Sequence, residues 1–213
     1  MSTKSLGVVA VMVFCISLQA SAQNRFELTP FFGATKTGGF DIDNPDISRL
    51  EVRSGVTYGA SVGCSLTDYI QVEFLFAQQE SAIYGVPKVQ LDGADGDVRL
   101  FGARLDQFHG NIMYQFGEPG DNWRPFLMIG AGATTFRAAE GFGSRTRFSV
   151  DFGGGIKHYF SPRLGVRGQI RALGTHMSSG SDGLWCGPYG CYVISKSNYL
   201  GGAEFSGGLI IRF

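Results

Sequence analysis

Between Tyr199 and Phe213 the chain reads YLGGAEFSGGLIIRF, and its odd and even positions differ in kind. Tyr199, Gly201, Ala203, Phe205, Gly207, Leu209, Ile211 and Phe213 are apolar or small, whereas the alternate positions carry Glu204 and Arg212. A period of two belongs to a β-strand whose two sides meet different surroundings. The same alternation recurs upstream and predicts strands over residues 25–34, 55–64, 69–81, 100–116, 123–136, 147–160 and 164–175. Phe26, Leu28, Pro30 and Phe32 oppose Glu27 and Thr29, and Ile70, Val72, Phe74 and Phe76 oppose Gln71, Glu73 and Gln79. Later, Phe148, Val150, Phe152 and Ile156 oppose Arg147, Asp151 and Lys157, and Leu164, Val166 and Ile170 oppose Arg167, Gln169 and Arg171.

Three places resist the rule. Pro30 lacks a ladder donor, so a closed sheet needs a bulge or a break there. Arg104 and Asp106 fall in the apolar register of the fourth strand, which places that end above any hydrocarbon or interrupts it with a bulge. In the fifth strand both faces are apolar: Leu127, Ile129 and Ala131 are read as outward, with Phe126 and Met128 opposite.

The connections alternate in length. Short turns follow the second, fourth and sixth strands, and longer polar stretches (35–53, 84–97, 138–145 and 176–197) follow the others. The prediction is an all-β, eight-stranded antiparallel up-and-down barrel. Either it is soluble with an apolar interior, or it spans a membrane with a polar one. Charge placement favours the membrane. Glu27, Glu73, Asp151, Lys157, Arg167, Arg171, Glu204 and Arg212 all fall on polar faces, where they can pair across a narrow lumen. One Lys or Arg facing mid-bilayer costs about 2–4 kcal/mol. Aromatic residues at strand ends, among them Tyr69, Tyr114, Trp123, Phe160 and Phe213, suit interfacial girdles.

Composition agrees. Only 17% of residues are charged, glycine (32) and phenylalanine (18) are abundant, and the mean hydropathy is +0.04. After the leader no apolar run reaches the length of a membrane helix. A net charge of +0 gives no footprint for nucleic acid. Lys4, the apolar run Leu6–Leu18 and Ala20-Ser21-Ala22 form an export signal, expected to be cleaved so that 1–22 is the leader and 23–213 the barrel domain.

Several segments then carry a family resemblance. They are Phe26-Glu27-Leu28-Thr29-Pro30-Phe31-Phe32-Gly33, Gln79-Glu80-Ser81, Arg124-Pro125-Phe126 and Gly208-Leu209-Ile210-Ile211-Arg212-Phe213. Together they resemble the small outer-membrane β-barrel proteins of the OmpA/OmpX type. The resemblance implies an integral protein of a Gram-negative outer membrane, surrounded by membrane lipid and lipopolysaccharide. Its loops are then extracellular and its termini periplasmic. It also implies insertion by the outer-membrane assembly machinery, with Phe213 as the assembly signal. Unlike the two-domain members of that group, the chain is not expected to carry a peptidoglycan-binding domain.

Candidate chemistry is sparse. Cys186 and Cys191, in CGPYGC, are expected to form a disulfide in an exported protein, stabilising by roughly 2 kcal/mol. His176-Met177-Ser178 resembles the His-x-Ser pair of outer-membrane lipid A deacylases, but an orienting carboxylate is missing from the segment. Asp92, Asp95 and Asp97 miss the EF-hand spacing. Gly130-Ala131-Gly132 and Gly153-Gly154-Gly155 lack the dinucleotide fingerprint and read as close-packed strand positions. The expectation is a barrel with a packed polar lumen, no cofactor, metal or catalytic group, and a structural or surface-interaction role through its loops. A narrow solute pore is the alternative, and a lipid A-modifying enzyme the remote one.

Overall fold

A computed structural model of the chain describes residues 26–43, 47–87, 98–138, 144–177, 184–187, 190–194 and 198–213. The expected leader lies outside these residues. The described residues form twelve strands: β1 (Phe26–Thr37), β2 (Gly39–Asp43), β3 (Ile47–Val52), β4 (Gly55–Ser65), β5 (Ile70–Pro87), β6 (Val98–Gln115), β7 (Trp123–Ala138), β8 (Ser144–Tyr159), β9 (Leu164–Met177), β10 (Leu184–Gly187), β11 (Gly190–Ile194) and β12 (Asn198–Arg212). Eight of them close a barrel. Each pairs antiparallel with its neighbours in the cycle β1, β4, β5, β6, β7, β8, β9, β12 and back to β1. These eight are the strands that alternation predicts.

The surface is inverted relative to a water-soluble protein. Phe32, Phe74, Ile112, Ile129, Phe152, Ile170 and Phe205 lie more than half exposed on the outer wall, while Glu73, Lys157, Arg171 and Glu204 are buried inside. Among the described residues, more polar and charged side chains are buried than hydrophobic ones. The fifth predicted strand resolves in the expected sense: Leu127 and Ile129 face out, and Phe126 and Met128 are buried.

Turn chemistry explains the short ends. In the β4–β5 turn Thr67 Oγ1 accepts from the amides of Tyr69 (3.2 Å) and Ile70 (2.9 Å). The β8–β9 turn repeats the device, with Ser161 Oγ accepting from Arg163 (3.3 Å) and Leu164 (3.1 Å). A short hydroxyl side chain that binds the backbone two or three residues on fixes such a turn locally. Between β6 and β7, Gly117 adopts φ 93°, a left-handed conformation that favours glycine.

At Pro30 the barrel breaks rather than bulges. Leu28 pairs with Ile211 and Phe31 with Gly208, so the register is the same on either side, but Thr29 and Pro30 have no partner in β12. On its other side the ladder is continuous, with Pro30 opposite Ala60. The missing donor therefore falls at the β1–β12 seam. Below it, Phe213 N–H donates to Phe26 O at 3.0 Å.

The long connections hold more structure than a polar loop. Residues 35–53, read from the sequence as irregular, extend β1 and then form β2 and β3. In the 176–197 stretch, β10 and β11 form a hairpin. β3 pairs with the top of β5, β2 with β3, and β11 with β2. These strands are short, and their register is supplied by partners distant in sequence, which periodicity cannot reveal. β5 and β6, at 18 residues each, contain about 60 Å of strand. The outward apolar band of such a barrel is only about 25 Å tall, so this hairpin carries the sheet well past it.

Candidate functional site

The lumen is the polar interior that parity predicts, and its side chains meet in tiers. At the end near the termini, Glu27 of β1 is the hub. Its Oε2 accepts from Lys157 Nζ (2.6 Å) and Gln71 Nε2 (2.9 Å), and its Oε1 from Tyr159 Oη (2.8 Å) and Arg212 Nε (2.8 Å). Gln71 Oε1 in turn accepts from Gln115 Nε2 at 2.9 Å. The Arg212 guanidinium lies 3.4 Å from the Tyr159 ring centroid.

One step higher, Glu73 of β5 is paired in bidentate fashion with Arg167 of β9, and Ser61 Oγ donates to the same carboxylate at 2.9 Å. A fork matched to a carboxylate is the geometry for which arginine is pre-organised. Arg167 also lies 4.7 Å from the Phe126 ring centroid. Phe126, Met128 and Met113 form an apolar cluster beside the pair, which lowers the local dielectric and strengthens it.

The third tier is centred on Arg171, which is 0% exposed. Its Nη1 donates to Asp151 Oδ2 (3.0 Å), and its Nη2 to Glu204 Oε2 and Gln107 Oε1 (2.8 Å each). Gln169 donates to Ser206, and Ser206 to Glu204 Oε1 at 3.1 Å. With its amide oriented to donate, Asn111 reaches Asp151 Oδ1 at 3.1 Å. Gly130 sits beneath this crossing. A Cβ there would overlap the side-chain amide of Asn111 and the carboxylate of Asp151, so the small residue makes room for the tier. Above, a hydroxyl relay runs from Thr175 to Thr134 to Ser149, whose Oγ is 2.8 Å from His109 Nε2.

The structure thus brings all eight charged residues together, four carboxylates against four cations, in the pairs Lys157–Glu27, Arg212–Glu27, Arg167–Glu73, Arg171–Asp151 and Arg171–Glu204. The eight named residues did not include Tyr159, Gln107, Asn111 and Ser206, which add further hydrogen bonds to the network. Tyr159 and Ser206 each lie two residues from a named charge, Lys157 and Glu204, whereas Gln107 and Asn111 stand on the polar face of β6, which carries none of the eight. Which residue meets which depends on the stagger of strands around the barrel.

Other candidates separate. Cys186 and Cys191 are directly opposite in the β10–β11 hairpin, while their side chains lie outside the described residues. His176 is on the outer wall, edge-on to Tyr199 at 5.3 Å, and Ser178 lies outside the described residues, as do Asp92, Asp95 and Asp97. Among the described residues no cluster of His, Cys, Asp or Glu could hold a metal ion. Arg104 stays exposed on the outward register, whereas Asp106, in the same register, is buried and paired with Arg137 Nε at 2.6 Å. The irregularity in that strand lies higher, opposite Ile83 and Tyr84.

Comparison with known proteins follows this geometry. The family model described as the outer membrane protein beta-barrel domain matches residues 6–204. In fold the chain is similar to Neisserial surface protein A, at 12% identity and TM-score 0.56, covering 88% of this chain and 97% of that one. It is also similar to the outer membrane protein OprG from Pseudomonas aeruginosa, at 13% identity and TM-score 0.58, covering 86% and 96%. No curated protein matches the sequence.

Proposed function

Because the chain belongs to the outer membrane protein β-barrel family, we propose that it is a plugged barrel of the Gram-negative outer membrane. In this reading it works through the sheet and loops at the end away from its termini. The observation that carries it is the neutral, three-tier ion-pair network across the lumen. An eight-stranded barrel is just wide enough to be filled by side chains, and each buried charge here already faces an opposite one. The reading is non-enzymatic: the His109–Ser149 contact is buried within the lumen, where no lipid substrate reaches it.

Orientation follows from connection length. Short turns suit the periplasmic side and longer connections the cell exterior. That puts the termini in the periplasm and the β2–β3 and β10–β11 extension outside. The Cys186–Cys191 disulfide then closes an exposed hairpin in an oxidising compartment. Phe213, 66% exposed beyond β12, serves as the label read by the assembly machinery.

Purified protein in planar bilayers tests the plug. The expected record is flat, without stable single-channel steps. Steady conductance in the wild type that is lost on altering Arg167 or Glu204 overturns the reading in favour of a narrow solute pore.

A further inference from the structure

The outer wall of β6, β7 and β8 changes chemistry in rows. Phe108, Ala133 and Phe148 lie side by side across the three strands. The next outward row is Asp106, Thr135 and Thr146, with the two threonine hydroxyls 2.9 Å apart. Above it Arg104 and Arg137 stand directly opposite each other. Like charges facing across a ladder repel, and arginine on a lipid-facing register is tolerated only near the headgroups. Both guanidiniums are held from behind. Asp106 takes Arg137 Nε at 2.6 Å, and Gln78, with its amide oriented to accept, takes Arg104 Nε at 2.7 Å. Arg137 keeps 58% of its side chain exposed, so its terminal nitrogens are free to face outward.

Below the arginines the same wall is hollowed. A recess of about 770 Å³ runs across β6–β9, lined by the row Gly110, Ala131, Val150 and Gly174 and, one row lower, by Ile112, Ile129 and Phe152. Ala131 and Arg137 are six residues apart on one strand, or about 20 Å at the antiparallel rise. That is the scale of a fatty acyl chain hanging from a headgroup.

We propose that Arg104 and Arg137 bind the phosphates of a phosphorylated glycolipid headgroup, that of lipid A in the outer leaflet, and that one of its acyl chains lies in the Gly110–Ala131 recess. The proposal rests on the loops-outward orientation given above. The planar guanidinium matches phosphate bidentately, and the opposed pair gains an anion between two cations.

The test is native mass spectrometry of the full-length barrel in detergent, with bisphosphorylated lipid A, enzymatically dephosphorylated lipid A and phosphatidylglycerol as competing probes. Unheated gel mobility shows that each variant is folded. Wild type is expected to prefer the bisphosphorylated form by about tenfold, and R104Q/R137Q to lose that preference. Gly110→Leu fills the recess at a site where an added Cβ meets nothing closer than Ala131 O at 4.0 Å. It should weaken both lipid A forms alike while leaving the phosphate preference intact. Equal binding by wild type and R104Q/R137Q overturns the headgroup site, and unchanged lipid affinity in Gly110→Leu overturns the acyl seat. If phosphatidylglycerol displaces lipid A at equal concentration, the glycolipid assignment fails while the plugged lumen stands, because conductance reads the plug separately.

Discussion

Arg171 shows what a charged residue needs inside a membrane barrel. It is fully buried, yet its guanidinium reaches two carboxylates and one amide oxygen. Burying an ion carries a desolvation cost of several kcal/mol, offset only when the partners and their own hydrogen bonds are complete. Removing the arginine alone should therefore be far worse than removing the whole tier. Arg171→Met is expected to destabilise by about 3–5 kcal/mol, read as a lower temperature for the heat-induced gel shift. The triple variant R171M/D151N/E204Q should recover most of the loss; equal damage in both would mean that the ion pairs are not what holds this tier. Gly130→Val pushes a branched side chain into the amide of Asn111 and the carboxylate of Asp151, and its transition should fall as well. At this scale parity assigned each of the eight network charges to the lumen. It could not show that Arg171 meets Glu204 rather than Glu73, because that choice depends on how far each strand is shifted along its neighbour.

At the scale of elements, the barrel strands were legible because each has one greasy and one polar face over ten or more residues. β2, β3, β10 and β11 were not. Four to six residues are too few for a period to stand out, and these strands exist by pairing with β5 and with one another. The hairpin placing Cys186 opposite Cys191 makes a direct prediction. On intact cells a membrane-impermeant maleimide should label neither cysteine until a reductant is added; labelling without reduction would mean free thiols. The seam between β1 and β12 yields another. It already lacks ladder pairs at Thr29 and Pro30, and Phe213 N–H closes its lower end on Phe26 O. Deleting Phe213 should cut outer-membrane yield several-fold, the label and one closing hydrogen bond being lost together. Full yield of the truncated chain would show that neither matters to assembly.

At the scale of the molecule, the inside-out distribution of polarity means that the barrel is stable only when its outer wall is covered by lipid or detergent. Folded protein should migrate ahead of its boiled form on a gel run without heating, whereas a water-soluble barrel with an apolar core would not need detergent to stay in solution. The eight-strand count and the facing of the strands with one charged face were determined by sequence alone, since a two-residue period is a local property and a misplaced lysine or arginine at mid-bilayer is heavily penalised; the facing of β7, apolar on both sides, was decided by the structure. The tertiary structure decided what no local pattern contains. It set the ion-pair partners, the in-register gap at Pro30, and the continuation of the sheet into β2, β3, β10 and β11. It also aligned Arg104 with Arg137 above a hollow in the wall. Each of these depends on the relative shift of strands far apart in the chain, and closing the barrel is what fixes that shift.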